Sequence, residues 1–194
     1  MEKVLRPSRL AQKKTTPSYP YVEEKKVAFA TPWVNFVEKK VIFSADTSAQ
    51  SFYALTQENY ISIVAVTPSK KILTVRQYRP AVEAFTLELP AGTIESGESP
   101  EDACKRELIE ETGHLPLKIK ELGSYYPDTG RITNLQYSFF VEVEEKPASE
   151  VKEAGITLEY YSFEELKSMI RNETFRHQLH ISVLLAARHV FDCF

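Results

Sequence analysis

The feature that most constrains this chain is a group of three glutamates within one predicted helix, Glu107, Glu110 and Glu111. Residues four apart on a helix lie above one another, so Glu107 and Glu111 point the same way, with Glu110 beside them. Like charges at this spacing destabilise a bare helix, and a bound cation removes the repulsion. Mg²⁺ prefers oxygen ligands and is commonly shared with a substrate phosphate. The group therefore predicts a divalent-metal site for phosphate chemistry.

The helix that carries these glutamates has clear end signals. Ser99 can cap its N-terminus, and Pro100 suits the first helical position. Glu101 and Asp102 favour the positive end of the helix. Gly113 can adopt the left-handed conformation that ends many helices. We therefore predict a helix from about residue 100 to residue 112.

The rest of the chain contains many short extended segments separated by turn residues. Residues 61–66 are rich in β-branched side chains and predict a buried strand. Ser162 and Glu165 have capping-box spacing and predict a second helix through about residue 171. An apolar stripe predicts a last helix near residues 177–191. Further strands are predicted at residues 34–37, 41–43, 51–55, 71–78, 85–89, 118–125, 135–143 and 156–161. This pattern indicates an α+β protein with a mixed sheet and helices on its faces.

Length and composition limit the classes of protein. The chain has 194 residues, which suits one domain with an N-terminal extension, and its net charge of −3 gives no basic field for nucleic acid. Residues 1–14 lack the apolar core of a secretion signal, and the longest apolar runs are too short to cross a bilayer. Cys104 and Cys193 lack metal-type spacing and indicate packing residues in a reducing cytoplasm. The basic first 26 residues predict a solvated, partly mobile terminus. We therefore expect a cytoplasmic protein with no nucleic-acid or membrane partner.

The acidic helix and the loop before it also resemble a known family. Their fixed positions are similar to the Nudix box: Gly92, five residues, Glu98, seven residues, Arg106-Glu107-Leu108, one residue, Glu110-Glu111, one residue and Gly113. That family hydrolyses nucleoside diphosphates linked to another moiety. His114 is the one departure, because the family usually has an aliphatic residue there, and Leu115 could fill that role.

The resemblance implies the fold and its division. The implied fold is an α/β/α sandwich with a mixed central sheet and an N-terminal β extension. Residues 1–57 would form an N-terminal extension and β region for dimerisation and base binding. Residues 58–194 would form the hydrolase domain.

The resemblance also implies the metal ligands. Glu107 and Glu111 would be the central ligands, with Glu110 assisting in metal binding and catalysis, and the backbone carbonyl of Ala91 would be a further ligand. Two or three Mg²⁺ ions would bind once a diphosphate is present, with Mn²⁺ as the alternative.

The remaining box residues have predicted structural roles. Glu98 and Arg106 are eight residues apart across the loop–helix junction, a placement that predicts a bidentate ion pair fixing the loop. Direct phosphate binding by Arg106 is the alternative. Gly92 should allow the metal site to be assembled compactly, because glycine permits backbone conformations that side chains forbid.

A general base is implied in a loop after the box. In the nucleotide-sugar branch of the family this base is usually a glutamate on a mobile loop. The matching loop here is residues 145–155, in which Glu153 lies nearest the expected place and Glu150 second. Either residue could instead be a solvated loop charge.

The substrate class is indicated by two segments outside the helix. Residues 77–80 (Gln-Tyr-Arg-Pro) and 87–92 (Leu-Glu-Leu-Pro-Ala-Gly) resemble the ADP-ribose pyrophosphatase and nucleoside-diphosphate-sugar branch. Arg79 would contact the diphosphate and Glu88 would line the sugar side. Relatives stack the base between aromatic rings of the N-terminal strands and pair as homodimers through that region. The aromatic candidates are Trp33, Phe52 and Tyr53, for which core packing is the alternative.

One departure leaves the substrate open. ADP-ribose enzymes tend to have a proline in the turn after the box, where this chain has Thr129. We therefore predict a nucleoside-diphosphate-sugar hydrolase that yields a nucleoside monophosphate and a sugar phosphate. ADP-ribose is the leading substrate, followed by ADP-glucose and GDP-mannose. Two further classes stay open at this point: a Nudix hydrolase of dinucleoside polyphosphates or other nucleotides, and a non-catalytic nucleotide-sugar-binding protein.

Overall fold

The computed structural model describes residues 18–151 and 153–194 of the chain. Ten strands and three helices lie in these ranges. In chain order they are β1 (Tyr21–Ala30), β2 (Val34–Ile42), β3 (Gln50–Gln57), β4 (Tyr60–Val66), β5 (Ile72–Arg79), β6 (Ala84–Glu88), β7 (Ala91–Thr93), α1 (Pro100–Thr112), β8 (Pro116–Tyr125), β9 (Gln136–Val143), β10 (Thr157–Tyr161), α2 (Phe163–Arg171) and α3 (Gln178–His189). None of these helices combines the length and the hydrophobicity that crossing a bilayer requires.

The strands form two sheets. Strands β1, β2 and β3 make an antiparallel sheet at the N-terminal end. The larger sheet has the order β10-β5-β4-β9-β8, with β6 paired to β5 and β7 paired to β4. Strands β4 and β9 run parallel, whereas the other pairs described in this sheet are antiparallel. The central sheet is therefore mixed, as predicted.

The central strand β4 is buried on both faces of the larger sheet. Ile61 and Ile63 pack on one side with apolar residues of α1, and Val64 and Val66 pack on the other side with α2 and α3. Full burial of such a side chain contributes about 1.5–3 kcal/mol, which explains why a strand covered on both faces is almost continuously apolar. Helices thus cover both faces, and the predicted α/β/α sandwich is confirmed.

Local capping signals fix the helix ends. The Ser99 hydroxyl accepts a hydrogen bond from the Asp102 N–H at 3.1 Å, and Gly113 ends α1 in the left-handed conformation with φ 70°. In α2, Ser162 and Glu165 form the predicted capping box. These predictions are confirmed, because each depends on only a few neighbouring residues.

Two predictions for the N-terminal region are wrong. Residues 21–26, expected in a mobile terminus, belong to β1, whose sequence is rich in Lys and Glu because nearly all of it is exposed. The segments expected as separate strands at residues 34–37 and 41–43 are joined in the single strand β2, which ends at Ile42. The part of the predicted terminus before residue 18 lies outside the described residues.

Candidate metal and substrate site

The three glutamates of α1 differ in their surroundings. Glu107 and Glu111 are buried on the face of α1 that packs against β7, whereas the side chain of Glu110 is 43% exposed. A Cβ atom at Gly92 would lie 1.9 Å from Glu107 Oε1, so only glycine leaves room for this carboxylate. The Ala91 N–H donates a hydrogen bond to Glu111 Oε2 at 2.9 Å. Strand β7 therefore contacts both carboxylates, Glu107 through Gly92 and Glu111 through Ala91.

A third carboxylate completes the group. Ligand oxygens of Glu107, Glu111 and Glu153 all lie within 4.8 Å of one another. Burial raises the pKa of Glu111 to about 8, and the nearby Glu107 and Glu153 add to the rise. Burial also raises the pKa of Glu107, although the Arg106 guanidinium opposes it. Three clustered carboxylates, two of them buried, fit a divalent cation, because carboxylate oxygens are the ligands that Mg²⁺ prefers.

The loop that carries Glu153 is attached to the C-terminal end of α1. The Gly113 carbonyl accepts hydrogen bonds from the N–H groups of Ala148 and Ser149, at 2.9 and 3.1 Å. The Glu153 N–H donates to the Glu110 carbonyl at 3.3 Å. A Cβ atom at Gly113 would lie 2.0 Å from the Ser149 carbonyl oxygen. Gly113 therefore both ends the helix and allows the loop to approach it.

Of the two residues that the sequence suggests as the base, only one lies beside Glu107 and Glu111. Glu153 belongs to the carboxylate group on α1, and Glu150 does not belong to either ligand group found in the described part of the chain. Glu150 is an exposed residue.

Arg106 connects the loop before α1 to the carboxylates. Its Nε and Nη2 atoms donate to both oxygens of Glu98 at 2.9 Å, and Nη2 also donates to the Thr93 carbonyl at 2.9 Å. Its Nη1 atom donates to Glu107 Oε1 at 2.7 Å and lies 3.4 Å from Glu110 Oε2. The guanidinium thus orients Glu107 in addition to making the bidentate pair with Glu98.

A cavity of about 510 Å³ opens beside the carboxylates. Its wall includes Ala91, Gly92 and Trp33, with Arg79 and Glu88 also in the wall. Arg79 and Glu88 form a bidentate ion pair with N–O distances of 2.8 and 2.7 Å. The structure therefore places Trp33, Arg79 and Glu88 in the wall of one cavity, together with the backbone of Ala91 and Gly92 that contacts the carboxylate group.

The other two aromatic candidates lie elsewhere in the chain. Phe52 and Tyr53 line a separate cavity of about 500 Å³, together with Thr129 and neighbouring residues. The Tyr53 ring stacks on Phe36 with 5.5 Å between ring centroids. Within one chain these two rings do not share a cavity with Trp33.

His114, the one departure from the Nudix box, takes the buried position that was expected for Leu115. His114 is fully buried, and its ring packs edge-on against Tyr160, whereas Leu115 is 52% exposed. The suggestion that Leu115 fills the aliphatic position is wrong. Burial lowers the pKa of His114, so the ring is neutral and can occupy an apolar position.

Two histidines of the cavity were missed at the sequence level. His177 is the N-cap of α3, and His180 lies in the first turn of the same helix. Both line the cavity that contains Arg79 and Glu88. The spacing of three residues at the start of a helix indicates that the two histidines share one face. Nothing in the neighbouring sequence indicates which part of the sheet that face contacts.

The fold and the site together define a class of protein. In this α/β/α sandwich, Ala91 and Gly92 contact the carboxylate group of α1 and also line a cavity that contains an arginine, an arrangement that suits divalent metal ions and phosphate compounds. The sequence model of the NUDIX domain matches residues 57–180, more than half of the chain. The chain belongs to the Nudix family, whose members generally use divalent metal ions.

Individual relatives match shorter segments. The chain is 37% identical over 82 residues to the ADP-ribose pyrophosphatase of Bacillus subtilis (strain 168), a match that covers 42% of this chain and 44% of that protein. It is 56% identical over 43 residues to the ADP-sugar pyrophosphatase of Mus musculus, covering 22% of this chain and 20% of that protein. The matched segments thus span less than half the length of these relatives.

A solved structure matches the whole fold. The crystal structure of an ADP compounds hydrolase superposes with a TM-score of 0.76, covering 92% of this chain and 97% of that one, at 14% sequence identity. The likeness extends the agreement in fold beyond the segments that match in sequence.

Proposed function

We propose that this protein hydrolyses the diphosphate bond of nucleoside diphosphate sugars, with ADP-ribose as the leading substrate and ADP-glucose and GDP-mannose as alternatives. The products are a nucleoside monophosphate and a sugar phosphate. The observation that carries this proposal is that the carboxylate group lies directly beside the cavity that contains Arg79. Ala91 and Gly92 line that cavity and at the same time contact Glu111 and Glu107.

Divalent ions are held by Glu107 and Glu111, with Glu110 assisting and the Ala91 carbonyl as a further ligand. We infer two or three Mg²⁺ ions in the presence of substrate, with Mn²⁺ as the alternative. When bound, such ions offset the charge of the diphosphate and lower the pKa of a water molecule. The buried, clustered carboxylates support this assignment.

Glu153 accepts the proton of the attacking water in this proposal, with Glu150 as the second candidate. The three backbone hydrogen bonds between its loop and the end of α1 support Glu153, because they hold its carboxylate within the metal-binding group.

Arg79 binds the diphosphate. Its Nε and Nη2 atoms are occupied by Glu88, but Nη1 makes no hydrogen bond to a described residue and is left for a phosphate oxygen. The Glu88 pair fixes the guanidinium before substrate arrives, so little side-chain entropy is lost on binding. Glu98, Arg106, Gly92 and Gly113 support the geometry of the site and do not take part in the reaction.

Trp33 stacks on the base at the open end of the cavity. Its side chain is 81% exposed, which leaves a whole aromatic face for a ligand. We further propose that residues 1–57 form an N-terminal unit that pairs two copies, so that Phe52 and Tyr53 of one copy approach the cavity of the other. The exposure of both rings supports this arrangement. We place the protein in the cytoplasm, where its free cysteines stay reduced.

The test is an Mg²⁺-dependent phosphate-release screen over ADP-ribose, ADP-glucose, UDP-glucose, GDP-mannose and diadenosine polyphosphates, coupled to a phosphatase that acts only on the products. We expect release from at least one nucleoside diphosphate sugar and none in EDTA. Release from the polyphosphates alone would contradict the substrate class. Binding of a sugar nucleotide without turnover would favour a binding protein.

A further inference from the structure

Three polar side chains form one corner of the substrate cavity: Glu88, His177 and His180. Glu88 Oε2 lies 3.9 Å from His177 Nε2 and 3.9 Å from His180 Nδ1. The two imidazole rings stack with 3.7 Å between centroids and 15° between planes. A distance of 3.9 Å is too long for a hydrogen bond, so Glu88 does not satisfy the hydrogen-bonding groups of the two histidines.

The hydrogen bonds of His180 fix its tautomer. The side chain is 2% exposed, and its Nδ1 accepts a hydrogen bond from the Leu89 N–H at 3.0 Å. The proton of the neutral ring must therefore lie on Nε2, which has no hydrogen-bond partner among residues 18–151 and 153–194. Burial, reinforced by the adjacent His177, lowers the pKa of His180 to about 3. His180 thus offers one neutral N–H donor to the cavity.

His177 has unused hydrogen-bonding capacity as well. Its Nδ1 atom is buried and finds no partner in the described part of the chain. Burial lowers the pKa of this ring, so it is also a neutral side chain with one donor and one acceptor. A buried polar atom without a partner is costly, and a ligand that supplies the missing bond recovers that cost.

Glu88 supplies the acceptor of the corner. Its Oε1 atom accepts hydrogen bonds from Arg79 and Thr86, whereas Oε2 accepts only one, from Arg79. Burial alone would raise the pKa of Glu88, but the hydrogen bonds from Arg79 and Thr86 outweigh it and hold the pKa at about 2. Glu88 is therefore a carboxylate with a free lone pair on the oxygen that faces both histidines.

The charges of the corner select the chemistry of its ligand. The side chains are of the types that bind transition metals, but the positive charge of Arg79, which is hydrogen-bonded to Glu88 Oε2, repels a cation, and the Leu89 N–H occupies His180 Nδ1. A phosphate would face the Glu88 carboxylate while gaining only neutral donors from the two rings. A neutral ligand that both donates and accepts hydrogen bonds satisfies every free group, and adjacent hydroxyls are such a ligand.

We propose that Glu88, His177 and His180 form a subsite for the vicinal hydroxyls of a ribose ring. One hydroxyl donates to Glu88 Oε2, and its neighbour accepts from His180 Nε2–H, with His177 closing the corner. The subsite determines specificity rather than chemistry. This inference rests on the proposed function, because it takes the cavity to be the nucleotide-sugar site, and either ribose of ADP-ribose carries the required chemistry.

The test is a calorimetric titration of the metal-free protein in EDTA with two matched pairs of ligands. One pair is AMP and 2′-deoxy-AMP, and the other is ribose 5-phosphate and 2-deoxyribose 5-phosphate. Each pair differs by a single hydroxyl at constant phosphate charge, and the two pairs distinguish the nucleoside ribose from the second sugar. We expect the deoxy form of one pair to bind about tenfold more weakly, which corresponds to roughly one net hydrogen bond.

Two variants connect this preference to the histidines. His180→Asn keeps an acceptor near the Leu89 N–H and removes the Nε2 donor, and His177→Phe keeps the ring stack and removes both nitrogens. Both should reduce the preference to about twofold or less, whereas His189→Asn, an exposed position at the end of the same helix, should retain it. Thermal unfolding of each variant verifies that it is folded.

Equal binding within both pairs, or no binding of either ribose-containing ligand, would overturn the inference. A preference that survives in both His177→Phe and His180→Asn would overturn it as well. The proposed function fails on a different measurement, the absence of Mg²⁺-dependent hydrolysis. A preserved hydroxyl preference without hydrolysis would retain the subsite and reject the enzyme.

Discussion

Two regions of the proposed site differ in how completely one chain builds them: the carboxylate group on α1, called the metal end, and the part of the cavity wall formed by Trp33, called the aromatic end. At the metal end, Glu107 and Glu111 are buried, β7 supports them from behind, and Arg106 orients Glu107 through a 2.7 Å hydrogen bond. At the aromatic end, Trp33 is 81% exposed and no second ring from the described part of the chain stacks beside it. One end is held by the chain's own hydrogen bonds, and the other presents an open surface.

The difference indicates how each end should respond to substitution. Groups that are held in place by several partners cannot relax, so the loss of one carboxylate or one close approach should be severe. An exposed ring contributes through its contact area alone, so its loss should be modest and confined to substrate binding. Substitutions at the two ends should therefore differ in both size and kinetic signature.

The largest effect is expected from Glu111→Gln. This change keeps the side-chain shape and the acceptor for the Ala91 N–H but removes the charge that a divalent ion needs. We expect kcat to fall on the order of 10³-fold at saturating Mg²⁺, measured with the preferred sugar nucleotide.

The matched control is Glu101→Gln on the exposed first turn of the same helix, where the carboxylate contacts Lys105 at 2.7 Å. Its kcat should stay within about twofold of the wild type, because exposed ion pairs contribute little. Full activity of Glu111→Gln would show that Glu111 is not a metal ligand.

Next in size is Gly113→Ala. A methyl group there would meet the Ser149 carbonyl oxygen at 2.0 Å, so the loop must leave the end of α1 and carry Glu153 away from the metal ligands. We expect kcat to fall about 10²-fold with little change in KM, because the loss falls on proton transfer.

Gly97→Ala separates loop displacement from backbone strain. Gly97 also has a positive φ, 84°, but no atom lies within 4 Å of the position of its Cβ. Backbone strain should lower the free energy of unfolding of both variants by about 1 kcal/mol. Only Gly113→Ala should also show a lower kcat. Equal losses of kcat would attribute the effect to strain and leave the loop without a role.

A third prediction concerns the stability of the metal-free protein. The pKa of Glu111 is about 8 in the folded protein, compared with the ordinary glutamate value of 4.5 expected in the unfolded chain. The folded state therefore binds more protons between these values, so the free energy of unfolding in EDTA should fall as the pH rises from about 4.5 to about 8. Mg²⁺ should offset this loss, and the gap between Tm with Mg²⁺ and Tm with EDTA should widen by a few degrees toward pH 8.

Glu111→Gln should flatten this dependence, because a neutral amide does not titrate. A gap that narrows as the pH rises would contradict the assignment of the buried charge to Glu111.

The fold was largely predictable because its signals are local. The burial of Ile63 and Val64 on opposite faces of β4 and the caps at Ser99 and Gly113 depend on residues near each other in sequence. Strand β1 was missed for the opposite reason. It is an edge strand whose side chains are exposed on nearly every residue, so it has neither an apolar face nor a period.

The site was only partly predictable. The spacing of Glu107 and Glu111 on one helix fixes their common face, and the pair of Glu98 and Arg106 spans a single junction. The corner formed by His177 and Glu88 joins residues 89 positions apart, because the N-terminal turn of α3 lies beside the end of β6. No sequence pattern within either segment predicts this contact, because it depends on how the helices pack against the sheet.

A smaller effect is expected at the aromatic end, from Trp33→Ala. Stacking of one base on an aromatic ring contributes about 1–3 kcal/mol, so KM should rise about tenfold while kcat stays within about twofold. Phe29→Ala, which removes an exposed ring of β1 outside the cavity, should change neither constant. A fall in kcat with unchanged KM would place Trp33 in the chemistry instead.

Phe52→Ala decides whether one chain is sufficient at this end. Phe52 lines a different cavity from Trp33, so an isolated chain should show no change in KM on its removal. If a second copy supplies the ring, KM should rise a few-fold in Phe52→Ala at high protein concentration, and dilution of the wild type should raise KM toward the same value. Light scattering over the same concentrations supplies the oligomeric state. If KM responds neither to Phe52→Ala nor to dilution, no ring from a second copy contacts the substrate, and a single chain forms the whole site.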